Sequence, residues 1–335
     1  MQFMIFVFLF LLSFAVSTGL THLLRRKLID QKIMDQPNER SMHKTPVPRG
    51  GGLALLIAFL IGLLLAMPVA GFPALWLFIA LLILGGISFY DDKKGARISF
   101  RLLAQLFAAL LGCLALGNST PLLHASLPLW LDRAIIIIGW IWFMNLYNFM
   151  DGIDGITGTQ SIACALGAVL VFTISNHYEL LLLTLPAVIC GACAGFLLFN
   201  WHPAKIFLGD VGSIPLGFLT GFLLLKLAAS DMLIPALILP LYYLADSSIT
   251  LFKRIVRGEK FWQAHRQHFY QRAAAGVGSH DRVVFWILGT NIALIALAAL
   301  ALWIPFPSLL VSFMVVAILL VKMHSHQEHK DNIKE

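Results

Sequence analysis

The sequence predicts an all-α polytopic integral membrane protein. Hydrophobic residues make up 59% of the 335 positions and charged residues only 12%, which leaves too little polar surface for a water-soluble domain. Apolar stretches long enough to cross a bilayer as helices recur about eleven times. We therefore expect about eleven transmembrane helices in a single membrane-embedded domain over residues 1–323, followed by a polar cytoplasmic tail at 324–335.

The predicted helices follow one another with short connections. They cover residues 2–24, 51–70, 72–90, 101–118, 128–147, 156–176, 179–199, 212–229, 231–252, 283–303 and 305–323. We expect the first to be a retained helix and not a cleaved signal peptide. It has no basic segment at its start, and Arg25, Arg26 and Lys27 follow it.

The positions of lysine and arginine predict the orientation. All of the 24 basic residues except Arg133 and Lys226 lie on one side of the predicted helices or in the tail. Because basic residues accumulate on the cytoplasmic side, we expect the amino terminus outside and the carboxyl terminus in the cytoplasm. The cytoplasmic segments are then 25–50, 91–101, 147–156, 200–211 and 253–282. The net charge of +7 follows from this topology and requires no nucleic-acid partner.

One of these segments places four polar side chains directly after an apolar run. Asn145 lies just before this segment, and Asn148, Asp151, Gly152, Asp154 and Gly155 lie within it. Ionisable groups at the end of a membrane helix are costly, so their default interpretation is a functional site. The two glycines predict a break in the helix, which would turn the carboxylates and amides into an aqueous pocket.

Two further segments carry acids beside glycines or cations. The adjacent carboxylates of Asp91 and Asp92 suit either Mg²⁺ binding or proton abstraction, although a solvated helix end would look similar. Asp210 lies between Gly209 and Gly212 just before an apolar span. A carboxylate in such a tight loop suits a hard cation that bridges phosphates, with a plain helix cap as the alternative.

Basic residues in three segments are candidates for holding phosphate groups. Prolines and the glycines at 50–52 predict a stiff loop that can cradle a phosphate, with Lys44 and Arg49 as counter-charges, unless it is an ordinary basic linker. Arg101 can hold a lipid phosphate at the membrane surface. The aromatic-rich loop at 253–282 can clamp a diphosphate, or it can be an amphipathic surface helix. Its candidate residues are His265, Arg266 and His268.

Taken together, the five segments resemble one family, the polyprenyl-phosphate N-acetylhexosamine-1-phosphate transferases of the WecA–MraY group. Their motifs occur in the family's order and cover most of the chain. The stretch from His265 to Arg272 is most similar to the O-antigen-initiating branch typified by WbpL. It departs from the adjacent histidines of MraY-like members.

The resemblance implies transfer of a sugar-1-phosphate from a UDP-N-acetylhexosamine to undecaprenyl phosphate, with release of UMP. It implies Mg²⁺, with Mn²⁺ as the alternative, a place in the bacterial inner membrane, an active site on its cytoplasmic face, a role in O-antigen or lipopolysaccharide synthesis, and a homodimer as one expected assembly. The implied metal ligands are Asp210 and Asn148. The implied catalytic residues are Asp91, Asp92, Asp151 and Asp210. The implied substrate contacts are Arg49, Arg101, Asn145, Asp154, His265, Arg266 and His268.

The role of the paired acids, Asp91 and Asp92, has two interpretations. They can act as a general base on the lipid phosphate, or they can position other groups. The second pKa of a phosphate is about 6, so it is largely ionised at neutral pH. We therefore favour positioning and electrostatics over proton abstraction.

Two other functions remain as alternatives. One is a phospho-N-acetylmuramoyl-pentapeptide transferase of peptidoglycan synthesis, within the same family. The other is a secondary transporter, which predicts acids near the bilayer midplane and an inverted repeat. The acids of this sequence cluster at one end of the helices, and we find no repeat.

Overall fold

A computed structural model describes residues 2–331 except 38–41, 44, 118–121, 124–126, 178, 261, 262 and 264. The described part is almost entirely helical, which confirms the all-α prediction. Its helices are α1 (Gln2–Asp30), α2 (Gly52–Ala70), α3 (Phe72–Lys94), α4 (Ile98–Leu116), α5 (Leu129–Phe149), α6 (Ile156–Ile174), α7 (Leu181–Asn200), α8 (Asp210–Ala229), α9 (Leu233–Ile238), α10 (Leu241–Val256), α11 (Phe269–Val277), α12 (His280–Leu300) and α13 (Pro305–Asp331). Two short antiparallel strands, β1 (Met34–Asp35) and β2 (Val47–Pro48), join the ends of the α1–α2 loop.

Nine helices of the described residues are long and apolar enough to cross a membrane. They are α1, α3, α4, α5, α6, α7, α8, α12 and α13. The span predicted at 231–252 is wrong as a single helix, because the chain breaks at Leu239 and Pro240 into α9 and α10. Proline lacks the N–H that a continuous helix needs and clashes with the preceding turn. The count of about eleven crossings stays a prediction, with α2 as a shorter apolar helix.

The acids predicted in a loop at 91–101 lie on a helix instead. Helix α3 continues to Lys94, so Asp91 and Asp92 belong to its last turns. Gly95 ends the helix with a φ of 70° and donates its N–H to the carbonyl of Asp91, as glycine commonly does after a helix. The two carboxylates are therefore held on a rigid element and point from its end.

Helices α7 and α8 form the centre of the bundle, with most of their residues buried. Gly191 and Gly195, one turn apart on α7, face α1. A Cβ at either position would clash with the backbone carbonyls of Phe10 and Phe14. Small residues at this spacing let membrane helices approach closely. The tight contact brings the end of α1 beside α7, next to the start of α8.

Candidate active site

The predicted cytoplasmic segments meet at one end of the helix bundle, around a cavity of about 420 Å³. The loop before α2, the end of α5 with the turn after it, the end of α7 with the start of α8, and parts of the stretch 265–280 line the cavity. The segment 91–101 lies beside it and contacts Arg49 and Asp210. Residues lining the cavity are Asp35, Met42, His43, Arg49, Asn148, Asp151, Gly152, Ile153, Asp154, Asn200, Phe207, Leu208, Gly209, Asp210, His265, Gln271 and His280. Six of the predicted site residues are therefore brought together: Arg49, Asn148, Asp151, Asp154, Asp210 and His265.

Asp210 lies at the centre of the charged groups. Gly209 precedes it with a φ of 74°, a conformation that favours glycine, and this turn makes Asp210 the first residue of α8. Its Oδ1 accepts from Nη2 of Arg49 at 3.1 Å, and its Oδ2 is 3.1 Å from Nη2 of Arg101. Two guanidinium groups thus bind the one carboxylate, one on each oxygen.

Each arginine also pairs with an acid at the end of α3. Arg49 is 3.2 Å from Oδ1 of Asp92, and Arg101 is 3.0 Å from Oδ2 of Asp91. Burial disfavours the cation of Arg49, but Asp92 and Asp210 outweigh that cost and raise its pKa. Asp91 and Asp92 are therefore placed to orient the arginines, which supports positioning over proton abstraction.

The glycine loop before α2 does not offer its backbone to a phosphate. The N–H groups of Gly51 and Gly52 donate to the carbonyls of Phe207 and Leu208 at 2.9 and 2.8 Å, and Gly50 also donates to Phe207. A Cβ on Gly52 would clash with the backbone of the next loop. The prediction of a backbone phosphate cradle was wrong, because these donors are used to dock two loops and fix Arg49. Lys44 lies outside the described residues.

The predicted break after α5 is confirmed, since α5 ends at Phe149 and α6 begins at Ile156. Asn148 donates from Nδ2 to Oδ2 of Asp210 at 3.4 Å and accepts from the Ser213 hydroxyl at 3.0 Å. Burial, with Asp210 adding to it, raises the pKa of Asp151 to about 7 despite the opposing effects of Thr157 and Arg49. Asp151 therefore holds its negative charge less readily than an ordinary carboxyl group does.

The residues at this wall of the cavity fit a hard divalent cation. Asp210 and Asp151 offer carboxylate oxygens, and Asn148 offers an amide whose oxygen and nitrogen are interchangeable in assignment. Oxygen donors of these kinds are the ligands of Mg²⁺. The raised pKa of Asp151 is the expected result of burying a carboxylate near another acid, and a cation would reverse it.

Asn145 lies one turn earlier on α5 and does not line the cavity. Its amide pairs reciprocally with that of Gln105 on α4, at 2.7 and 3.3 Å, and also donates to the carbonyl of Ile141. Buried amides need such partners. The structure therefore places Asn145 between two helices, where it joins α4 to α5.

Asp154 is held by residues that the sequence did not predict. Its Oδ2 accepts from Nδ1 of His202 at 2.6 Å and from the N–H of Ala204 at 3.1 Å, and it lies 3.2 Å from Nδ1 of His280. Burial alone would raise the pKa of Asp154, but the histidines and this N–H lower it overall. His202 could have been found from the sequence, because it is a polar residue before Pro203 in the predicted cytoplasmic segment 200–211. His280 carried no signal, because it lies 126 positions from Asp154.

The three candidates of the histidine loop lie in different places. His265 lines the cavity, and burial together with nearby His268, Arg254 and Arg272 lowers its pKa to about 4. Before a ligand binds, these surroundings therefore favour the neutral imidazole. Arg266 is exposed and does not line the cavity, whereas His268 is buried.

His268 belongs to a structural core around Asp246. The fully buried Asp246 on α10 accepts from Nδ1 of His268 and from the N–H groups of Phe269 and Tyr270, all at 3.1 Å. It thereby caps the start of α11. The Tyr270 hydroxyl then donates to the carbonyl of Phe149 at 2.9 Å, and so connects this core to the end of α5.

Comparisons with known proteins agree with this geometry. The sequence profile of glycosyl transferase family 4 matches residues 74–228, which contain the acids of α3, the α5–α6 segment and Asp210. This part of the chain is similar to glycosyl transferase family 4. The predictions of this family group and of a phospho-sugar transferase are thereby confirmed. The narrower resemblance to the O-antigen branch of family 4 stays a prediction.

Relatives with similar sequences align over most of the chain. A probable undecaprenyl-phosphate N-acetylglucosaminyl 1-phosphate transferase of Bacillus subtilis is 26% identical over 320 residues, covering 92% of this chain and 88% of the relative. A decaprenyl-phosphate N-acetylglucosaminephosphotransferase of Mycobacterium leprae is 28% identical, covering 81% and 76%. A phospho-N-acetylmuramoyl-pentapeptide-transferase of Halalkalibacterium halodurans is 26% identical, covering 88% and 97%.

Proposed function

We propose that this family 4 enzyme transfers N-acetylhexosamine-1-phosphate from a UDP-sugar to undecaprenyl phosphate at the cytoplasmic face of the bacterial inner membrane. The observation that carries the proposal is the pair of arginines on Asp210 at the edge of a polar cavity. Two anionic substrates must meet in such a reaction, and Arg49 and Arg101 supply cations on both sides of one carboxylate. The product would start a lipid-linked glycan, with O-antigen as the expected pathway.

The reaction forms a bond between a lipid phosphate oxygen and the β-phosphorus of the UDP-sugar. The bond from that phosphorus to the bridging oxygen breaks, and UMP leaves with the oxygen and its electron pair. A largely ionised lipid phosphate needs no strong base, which agrees with the pairing of Asp91 and Asp92 to arginines. Preorganised cations that stabilise developing charge are the main catalytic contribution expected from this site.

Mg²⁺ is the metal that we assign to Asp210 and Asn148, with Asp151 beside them and Mn²⁺ as the alternative. When bound, it would offset the charge of the diphosphate and stabilise the leaving UMP. Arg49 lines the cavity and Arg101 does not. We therefore assign Arg49 to the donor diphosphate and Arg101 to the phosphate of the lipid acceptor.

The second candidate is a phospho-N-acetylmuramoyl-pentapeptide transferase, because a relative of that name aligns over 97% of its own length. The spacing of His265 and His268, which are not adjacent, argues against it. A panel of UDP-N-acetylhexosamines and UDP-N-acetylmuramoyl-pentapeptide, assayed with undecaprenyl phosphate in detergent, distinguishes the two. We expect Mg²⁺-dependent UMP release with a hexosamine donor. Release with the pentapeptide donor alone would favour the second candidate, and no release with any donor would contradict the proposal.

A further inference from the structure

Three side chains from separate segments meet at the edge of the cavity, away from Asp210. Asp154 lies between α5 and α6, His202 follows α7, and His280 is the first residue of α12. One ligand atom from each lies within 4.8 Å of the other two. We propose that these three residues bind a divalent transition-metal ion of the Zn²⁺ class, at a site separate from the Mg²⁺ ligands assigned above.

The donor set selects this class of ion. Two imidazole nitrogens and one carboxylate are a usual ligand set for Zn²⁺ with an open position for water, whereas Mg²⁺ prefers oxygen ligands. The Oδ2 of Asp154 lies 2.6 Å from Nδ1 of His202 and 3.2 Å from Nδ1 of His280. Ligand bonds of about 2.0 Å in a tetrahedral site separate ligand atoms by about 3.3 Å. The second distance already fits, whereas the first is that of a hydrogen bond and would have to lengthen by about 0.7 Å to reach the tetrahedral spacing.

His280 contacts Asp154 at two points. Its Nδ1 lies 3.2 Å from Oδ2 of Asp154 and 3.4 Å from the backbone nitrogen of the same residue. Both side chains are largely buried, so water would screen an ion held between them only weakly.

An ion at this site would change the donor cavity. Asp154 and His280 both line that cavity, so coordination would take their polar atoms out of reach of a ligand. Resting on the proposed function, we infer that the bound ion weakens binding of the nucleotide-sugar donor. Access from the cavity gives the ion an entry path and leaves room for water ligands.

Zn²⁺ binding to the full chain in detergent tests the site without any substrate. Metal-stripped protein is titrated with Zn²⁺ against a chromogenic chelator for wild type, His202→Ala and His280→Ala, with the exposed His177→Ala as the matched control. We expect one tight site in wild type and in the control, weakened by roughly 100-fold in the other two, since even supporting groups of metal ligands contribute up to that much. Thermal unfolding without metal shows whether each variant is folded.

The Co²⁺ absorption spectrum of wild type provides a measurement that needs no variant. Tetrahedral bands without thiolate charge transfer support imidazole and carboxylate ligands. A wild-type protein with no saturable site, or binding unchanged in both histidine variants, would show a hydrogen-bonded triad only and overturn the proposal. Displacement of Zn²⁺ by equimolar Mg²⁺ would also overturn it. If Zn²⁺ inhibits transfer equally in wild type and in His202→Ala, the link to the donor cavity fails while the proposed function stands.

Discussion

Asp210 and Asp246 each collect several donors, but the two carboxylates lie in different surroundings. Asp210 faces the cavity and is paired with two charged guanidinium groups, so its partners can be shared with a ligand. Asp246 is fully buried, and its donors include the two N–H groups that begin α11. The comparison teaches that burial and donor type, more than the presence of an acid in a membrane protein, separate a carboxylate whose partners a ligand can share from one that supports the fold.

The largest effect is expected from Asp246→Ala. The change leaves His268 and the first N–H groups of α11 without their acceptor in a buried place, and breaking such a buried set costs roughly 3–5 kcal/mol. We expect a large fall in the thermal unfolding temperature in detergent, with activity lost because the histidine loop no longer packs on α5. The exposed Asp30→Ala should change stability by less than about 0.5 kcal/mol. Equal unfolding temperatures for the two variants would mean that Asp246 is not the support described here.

Asp210→Asn, in contrast to Asp246→Ala, is expected to lower turnover without lowering stability. This change keeps the shape of the side chain but removes the charge that holds Arg49 and Arg101. Losing one preorganised electrostatic group typically lowers turnover by roughly 10²–10³-fold. We expect that loss in UMP release together with a nearly unchanged unfolding temperature, and Asp30→Asn serves as the control. Retained turnover would remove Asp210 from the reacting centre.

The features that depend on local sequence pattern, which are the helices and the polar residues at their ends, could be predicted from the sequence. Bilayer thickness sets the length of an apolar run, so most helices could be located from the positions and lengths of these runs. Polar residues at successive helix ends on one side predicted that Asn148, Asp151 and Asp210 converge. Pro240 also indicated a helix break, and it lies between the end of α9 and the start of α10. The apolar run through it nevertheless suggested a single span.

Long-range partners could not be predicted in the same way. The pairing of His268 with Asp246 depends on how α10 and α11 turn back on each other, and the pairing of His280 with Asp154 joins positions 126 residues apart. The glycine loop shows a third limit. A Pro-Gly sequence is equally suited to binding a phosphate and to docking on another loop, and only the position of Phe207 decides between them.

A smaller and more specific effect is expected from Arg101→Ala. Arg101 bridges Asp91 and Asp210 outside the donor cavity, so we expect the KM for undecaprenyl phosphate to rise roughly tenfold, about 1.4 kcal/mol. The affinity for the UDP-sugar should change little. Arg266→Ala is the matched control, because this arginine is exposed and outside the cavity. An effect of Arg101→Ala on the nucleotide alone would reverse the assignment of the two arginines.

The smallest effect concerns the pH dependence of stability at His265, between the cavity and the structural core. Burial and the nearby His268, Arg254 and Arg272 lower its pKa in the folded state from 6.5 to about 4. Below the ordinary pKa the unfolded chain binds a proton that the folded chain does not, so stability falls as the pH drops from about 6.5 toward 4.

Glutamine does not titrate. When the pH is lowered from about 7.5 to about 5, the unfolding temperature of His265→Gln should therefore fall by less than that of wild type. The exposed His177→Gln should behave as wild type does. Equal losses for wild type and His265→Gln would mean that this imidazole is protonated as readily in the folded protein as in the unfolded chain. The histidine could then take up a proton when a diphosphate binds beside it, and His265 would act with Arg49 at the charged centre.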